Sequence, residues 1–210
     1  MADLIRVLGA IALAYLLGSF PAGYLLGRIW GVDVLGWGSG RTGGTNVLRS
    51  AGVLPALITG ALDVGKGALA VWLAGVMAPD SYEVITQVLA GAAVILGHNY
   101  SIFLGLRGGA GVGTSLGALS AIHWPAALAL LVLLLVVIAA TRYASVGSLF
   151  VATMMPIFLF ALAVAGVLVP AYVAYGLLAW IIIIYSHWPN IRRLISGTER
   201  RIGDKGKSQS

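Results

Sequence analysis

Apolar runs of about 17–25 residues return along this chain with short polar breaks between them, and that is the length a helix needs to cross a bilayer. Hydrophobic residues make up 60% of the 210 positions and charged residues only 10%, with a mean hydropathy of +0.97. That is more apolar surface than a soluble domain of this size can bury. The expected fold is an all-α integral membrane protein, a seven-transmembrane-helix bundle. The expected spans are 4–27, 62–77, 84–96, a short fourth ending at 122, 126–140, 146–167 and 170–185. A short helix at the membrane surface is expected over 51–60, and turns at Pro79-Asp80-Ser81 and His123-Trp124-Pro125. No long polar linker divides the chain, so residues 1–203 read as one domain and 204–210 as a disordered basic tail. The first span is not read as a cleaved signal peptide: Asp3 sits beside Arg6, and no small-x-small cleavage site follows.

Charge sets the orientation. The breaks on one side collect Arg28, Arg41, Arg49, Lys66, Arg107, Arg142 and the cations of the tail, whereas Arg6 alone of the thirteen Lys and Arg falls on the other. The positive-inside rule puts the crowded side in the cytoplasm, the N-terminus outside and the C-terminus cytoplasmic. The formal charge of +6 is thus an orientation signal and implies no nucleic acid partner. With no cysteine, disulfides and thiolate metal sites are excluded.

Three polar stretches share that cytoplasmic side with the Arg142 turn, as if converging on one site. The first, 36–49, has five glycines among fourteen residues, with Ser39, Thr42, Thr45 and Asn46 and the cations Arg41 and Arg49. Glycine-rich backbone can turn successive amides toward one anion, a cradle for a phosphorylated ligand. The second, 97–114, holds Arg107, Gly108, Gly109, Gly111 and Thr114. Its G-x-x-x-x-G spacing resembles a nucleotide loop, but it lacks the lysine and the strand-to-helix setting that such a loop needs. In the third, His187 and Asn190 stand one helical turn apart, a proton-handling group beside one that can hold an oxyanion. Asp63 and Lys66 are also one turn apart and can pair inside a span. No H-E-x-x-H or carboxylate cluster appears, so no metal is expected. A small-solute transporter would carry polar residues at mid-membrane, and these spans are apolar there apart from Asp63 and Lys66 near one end.

Five segments together carry a resemblance: Gly18-Ser19-Phe20-Pro21-Ala22-Gly23-Tyr24, the Ser39 to Arg49 loop, Asp63-x-x-Lys66-Gly67, Gly97-His98 to Thr114, and His187-x-x-Asn190-Ile191-x-Arg193-Leu194-x-x-Gly197-x-Glu199. In this order, over almost the whole chain, they resemble the bacterial acyl-phosphate glycerol-3-phosphate acyltransferases, the PlsY family. The resemblance implies a multi-pass enzyme of the bacterial cytoplasmic (inner) membrane with its site on the cytoplasmic face. It would move a fatty acyl group from acyl phosphate to the 1-hydroxyl of glycerol 3-phosphate, giving lysophosphatidic acid and phosphate, the first step of phospholipid synthesis. It implies no cofactor and no stable protein partner; glycerol 3-phosphate, acyl phosphate and membrane lipids are the partners. Ser39, His187 and Asn190 would be catalytic. Arg41, Thr45, Asn46, Arg49, Lys66, Arg107, Gly108, Gly109, Gly111, Thr114, Arg142 and Ser145 would bind substrate, and Glu199 would support the structure. Three positions depart from the family pattern: Arg41 stands for the usual Asn, Ser101 for Pro and Ala110 for Lys. Arg41 is expected to take over the charge missing at Ala110. A non-catalytic descendant that keeps a phosphate-binding surface is the alternative.

The orientation can be tested with single cysteines in this cysteine-free chain. One at Ser81 should react with an impermeant maleimide in intact cells and one at Ser208 should not; the reverse pattern would overturn the convergence of the polar stretches.

Overall fold

Apolar helices surrounded by lipid tails gain nothing from hiding hydrophobic surface against each other, so close backbone packing through small residues has to hold them together. The computed structural model, which describes residues 1–203, is built this way. The expected disordered tail at 204–210 lies outside the described residues. The described residues form an all-helical bundle, in the order α1 (Ala2–Ser19), α2 (Ala22–Ile29), α3 (Gly44–Ala51), α4 (Val53–Met77), α5 (Glu83–Asn99), α6 (Val112–Thr141), α7 (Ala144–Val164), α8 (Tyr172–Ser186) and α9 (Trp188–Ile195). Large side chains such as Leu57, Trp72, Leu135 and Phe160 point outward, while Ala10, Ala14, Ala70, Ala74, Ala90 and Ala118 fill the interior.

Two helix pairs make reciprocal glycine contacts. Between α1 and α5, a Cβ on Gly18 would stand 2.2 Å from the Val94 carbonyl oxygen, and one on Gly97 would stand 2.1 Å from that of Tyr15. Between α4 and α6, a Cβ on Gly67 would lie 2.1 Å from the Thr114 carbonyl oxygen, and one on Gly117 only 1.9 Å from that of Val64. Hydrogen bonds then fix the ends: Ser101 Oγ donates to Ser19 O at 2.6 Å and Tyr15 Oη to Tyr100 O at 2.8 Å. Lys66 Nζ, on α4, donates to Phe20 O at 2.9 Å, where α1 stops ahead of Pro21.

The expected first span, 4–27, is two helices, α1 and α2, parted at Phe20-Pro21, and the boundaries differ from the expected ones in two further places. The short helix is α3, over 44–51, not 51–60; Gly52 (φ +98°) turns the chain and α4 then runs unbroken from Val53. Pro55 falls in its first turn, where a missing N–H costs no helical bond. The second difference is at His123-Trp124-Pro125, a break inside one element rather than a loop. His123 has φ −157° and ψ 91°, and its Nδ1 accepts from Ala126 N at 3.2 Å, capping the second half of α6. The expected fourth and fifth spans are therefore the two halves of α6.

Four units among the described residues are long and apolar enough to cross a membrane: Ala2–Ile29, Val53–Met77, Val112–Thr141 and Ala144–Val164. The pair α8 and α9, bent by 59°, makes a fifth if taken as one span. Helix α5 has 17 residues, about 25 Å at 1.5 Å per residue, and packs against α1, α4 and α8. The protein is thus a multi-pass, all-helical membrane protein.

The glycine contacts make a direct prediction. Gly9 has open space around its Cβ position, so Gly9→Ala should leave the melting temperature in detergent unchanged or slightly raised. Gly117→Ala gains the same helix propensity but must push α4 away. It should lose stability by about 1–3 kcal/mol or more, the range of overpacked cores. Equal melting temperatures for the two variants would mean the α4–α6 contact is not close.

Candidate functional site

The first polar loop is organised from within by one side chain. Asn46, buried in the first turn of α3, donates through Nδ2 to Val34 O (2.9 Å), Trp37 O (3.1 Å) and Arg41 O (2.9 Å), and its Oδ1 accepts from Ser39 N at 3.1 Å. Gly38 and Gly40 take positive φ, +58° and +65°, to complete the turn. A Cβ on Gly38 would sit 2.5 Å from Asn46 Oδ1, so this position must be glycine on both counts. Thr42 N donates to Gly108 O at 3.2 Å and joins this loop to the second one.

The second loop folds back on the end of α5. Gly109 N donates to His98 O at 2.9 Å. A Cβ on Gly109 would stand 1.9 Å from His98 Nε2, and one on Gly108 2.1 Å from His98 O. These two glycines seat the histidine. His98 Nδ1 in turn lies 3.3 Å from Asp63 Oδ1, which also takes Lys66 Nζ at 2.9 Å. Gly111 (φ +86°) then starts α6, whose first turn opens into the site; backbone amides at such an end attract anions.

The third group stands where α8 turns into α9. His187 Nδ1 donates to Ile183 O at 2.9 Å, which leaves Nε2 as an acceptor. Burial holds its pKa down, at about 4; the Ile183 bond works against this, and the charge of Arg41 adds to it. Glu199 gathers three side chains from separate parts of the chain: Ser145 Oγ (2.9 Å) and Asn190 Nδ2 (2.8 Å) on one oxygen, Arg193 Nε (2.6 Å) on the other. Burial raises the Glu199 pKa, but the bonds from Asn190, Arg193 and Ser145 together outweigh it, so it sits below the usual carboxylate range. Because Glu199 takes up Asn190 Nδ2, Asn190 presents its carbonyl Oδ1, which has no hydrogen-bond partner among the described residues. Arg41 donates to Ser186 O, and burial followed by the nearby Arg193 lowers its pKa.

Together these groups wall a cavity of about 260 Å³. Ser39, Arg41, Thr45, Arg49, Gly111, Ser145, His187 and Asn190, all expected from the sequence, line it. Seven other expected residues do not. Asn46 directs its amide into the loop; Gly108 and Gly109 pack on His98; Thr114 is wholly buried at the α4–α6 contact. Lys66 is committed to Asp63 and Phe20 O. Arg107 is exposed on the short turn that pairs with Ser101. Arg142, exposed and with φ +63°, binds Ile202 O at 3.1 Å instead. The cavity also takes Asp63, His98, Ser148, Arg193, Glu199 and Arg200. Ser148 follows Ser145 by one helical turn, a spacing visible in the sequence; nothing there singled out Arg200. Four arginines thus surround a cavity with two carboxylates, one of them balanced by Lys66, and the balance favours an anion.

Comparison with known proteins bears on the family and the fold. The model of a family described as glycerol-3-phosphate acyltransferase matches residues 8–197. The glycerol-3-phosphate acyltransferase of Synechococcus sp. (strain CC9902) is 45% identical over 199 residues, covering 94% of this chain and 96% of its own. That of Rhodospirillum rubrum is 45% identical over 212 residues, covering 96% and 94%. The crystal structure of PlsY, an integral membrane glycerol 3-phosphate acyltransferase, in its glycerol 3-phosphate form is similar with a TM-score of 0.84 at 34% identity, over 94% of this chain and 96% of that one. Its lysophosphatidic acid form gives 0.82 at 34% identity, over 93% and 94%.

The buried imidazole has a consequence for stability. An unfolded chain protonates His187 near its ordinary pKa of about 6.5, whereas the folded one resists until about pH 4. The unfolded state therefore binds more protons in that window, and stability falls as pH drops through it. His187→Asn keeps a donor for Ile183 O but cannot titrate. Between about pH 7 and about pH 5 the melting temperature should fall more in the unmodified protein than in the variant. Parallel slopes would show that His187 is not held neutral.

Proposed function

The chain belongs to the glycerol-3-phosphate acyltransferase family, and from that premise we propose how its cavity works. The protein is a membrane glycerol-3-phosphate acyltransferase of phospholipid synthesis. Its donor is acyl phosphate: the chain needs no group to activate the acyl carbon, because the mixed anhydride is already activated. The acyl carbonyl carbon bonds to the 1-hydroxyl oxygen of glycerol 3-phosphate, the carbon–oxygen bond to phosphate breaks, and lysophosphatidic acid and inorganic phosphate leave.

The observation that carries this reading is the meeting of His187, Asn190 and Ser39 in one cation-rich cavity. His187 Nε2 accepts the hydrogen bond of the attacking hydroxyl and aims it. The neutral imidazole is too weak a base to keep that proton. The departing phosphate would otherwise leave as a trianion and is far more basic, so the hydroxyl proton ends there. Asn190 Oδ1, fixed by Glu199, accepts from the remaining glycerol hydroxyl. Ser39 Oγ, Arg41, Arg49 and the first turn of α6 hold phosphate oxygens, and proximity supplies much of the rate. Arg41 and Ala110 line the same cavity, which supports Arg41 as the replacement for the family's lysine. Seven spans follow if α5, each half of α6, α7 and α8 cross separately, beside α1 with α2 and α4. The N-terminus is then outside and the cavity opens on the cytoplasmic face of a bacterial inner membrane, where the acyl chain lies in lipid.

Purified protein given acyl phosphate and glycerol 3-phosphate should release lysophosphatidic acid and phosphate. Ser39→Ala, Arg49→Ala and Asn190→Ala should each remove most turnover while the fold survives in detergent. A charge-assisted phosphate contact makes the Arg49 loss about ten- to a hundred-fold. Unchanged kcat/KM in Arg49→Ala would exclude it from phosphate binding.

A further inference from the structure

The segment after α9 runs back across the cavity as a strap. Glu199 anchors it to Ser145, Asn190 and Arg193. Arg49 Nη2 holds Arg200 O at 3.2 Å. Ile202 N donates to Arg142 O at 2.7 Å, and Arg142 Nη2 returns a bond to Ile202 O at 3.1 Å. Arg201 lies over the Tyr143 ring with its guanidinium carbon 5.4 Å from the centroid, and its Nε donates to Tyr143 Oη at 3.0 Å. Every residue from 199 to 202 is therefore tied to another part of the chain, by backbone or side chain.

Within the strap the side chain of Arg200 faces the cavity, which it lines. Its Nη1 is buried, with no hydrogen-bond partner among the described residues. It stands 3.3 Å from where a Cβ of Gly38 would be, so the bare glycine gives it room. A buried guanidinium nitrogen is costly to leave without an acceptor. Around it, Arg41 holds Ser186 O, Arg193 holds Glu199, and Arg49 Nη2 holds the Arg200 carbonyl itself. The stretch Gly108-Gly109-Ala110-Gly111 contributes no side-chain charge.

We propose that Arg200 binds substrate phosphate, so that the strap supplies the cavity with a substrate-contacting cation as well as closing it. This rests on the acyltransferase reading for the identity of the substrates but not for the presence of a phosphate site. Glycerol 3-phosphate, acyl phosphate and inorganic phosphate share the dianionic group that Nη1 would meet, and an arginine can grip it through two donors.

Two measurements on the full-length protein in detergent test this. In the first, inorganic phosphate is titrated and the melting temperature is followed. Phosphate should stabilise the unmodified protein, and Arg200→Gln should need about ten- to a hundred-fold more phosphate for the same shift. In the second, KM is measured for each substrate in turn. It should rise at least about tenfold for the substrate whose phosphate Arg200 holds, with kcat changed less, and Arg200→Lys should recover part of the loss. Phosphate stabilisation and both KM values within twofold of the unmodified protein would overturn the proposal. If Arg200→Gln does not fold, Arg200→Lys decides alone: weakened phosphate binding supports the contact, and unchanged binding overturns it. An unmodified protein that binds phosphate through Arg200 but transfers no acyl group would sink the acyltransferase reading while leaving the contact standing.

Discussion

Everything at the site depends on two places where helix backbones touch without side chains between them. Gly18 against Val94 and Gly97 against Tyr15 lock α1 to α5, and Gly67 against Thr114 and Gly117 against Val64 lock α4 to α6. In lipid such contacts provide the dispersion that holds helices in register. The polar residues follow directly in sequence from these points. His98 comes after Gly97, Lys66 before Gly67, and Phe20, whose carbonyl Lys66 holds, two residues after Gly18. A packing contact and a site residue one or two positions apart cannot move independently. These glycine-locked joints therefore also set the position of the bundle's polar end.

Two side chains then translate that rigidity into the cavity. Asn46 is neutral and gives its whole amide to the first loop, so Ser39 and Arg41 are presented by a backbone pinned at four points. Glu199 is charged and works across longer distances, joining α7, α9 and the strap. Neither needs to meet a substrate to matter. Each fixes which atoms of its neighbours are left to face the cavity, as when Glu199 takes the Asn190 amide and leaves the carbonyl.

The sequence showed the chemistry of the site better than its assignments. Hydrophobic length revealed a membrane bundle, and the three polar stretches with their hydroxyls, histidine and arginines do meet in one cavity. The individual roles were harder to read. Asn46, Gly108 and Gly109 lie in the right loops but serve to build them, because a glycine that cradles an anion and one that seats a histidine look alike in sequence. Arg142 and Arg107 carry the positive charge that suits a phosphate-binding residue, yet their direction depends on a left-handed turn and a reversed loop that composition does not encode. Arg200 was not singled out because its place in the cavity wall comes from the strap folding back, a long-range event. The break at His123 was visible through Pro125, but whether it would end a helix or merely kink it depends on the imidazole cap on Ala126, which periodicity does not reveal.

The strap also bears on the order in which the protein is made. Chains are synthesised from the N-terminus, and Glu199 and Arg200 emerge only after α1 to α9. The glycine-locked helices can pack while these residues are still missing, so the membrane receives a nearly finished scaffold with an open polar end. Until Glu199 reaches Asn190 and Ser145, the cavity lacks its organising carboxylate. A nascent chain can thus have its helices packed before its cavity is ordered. Premature termination just after α9 would leave a well-inserted membrane protein without the group that orders its cavity.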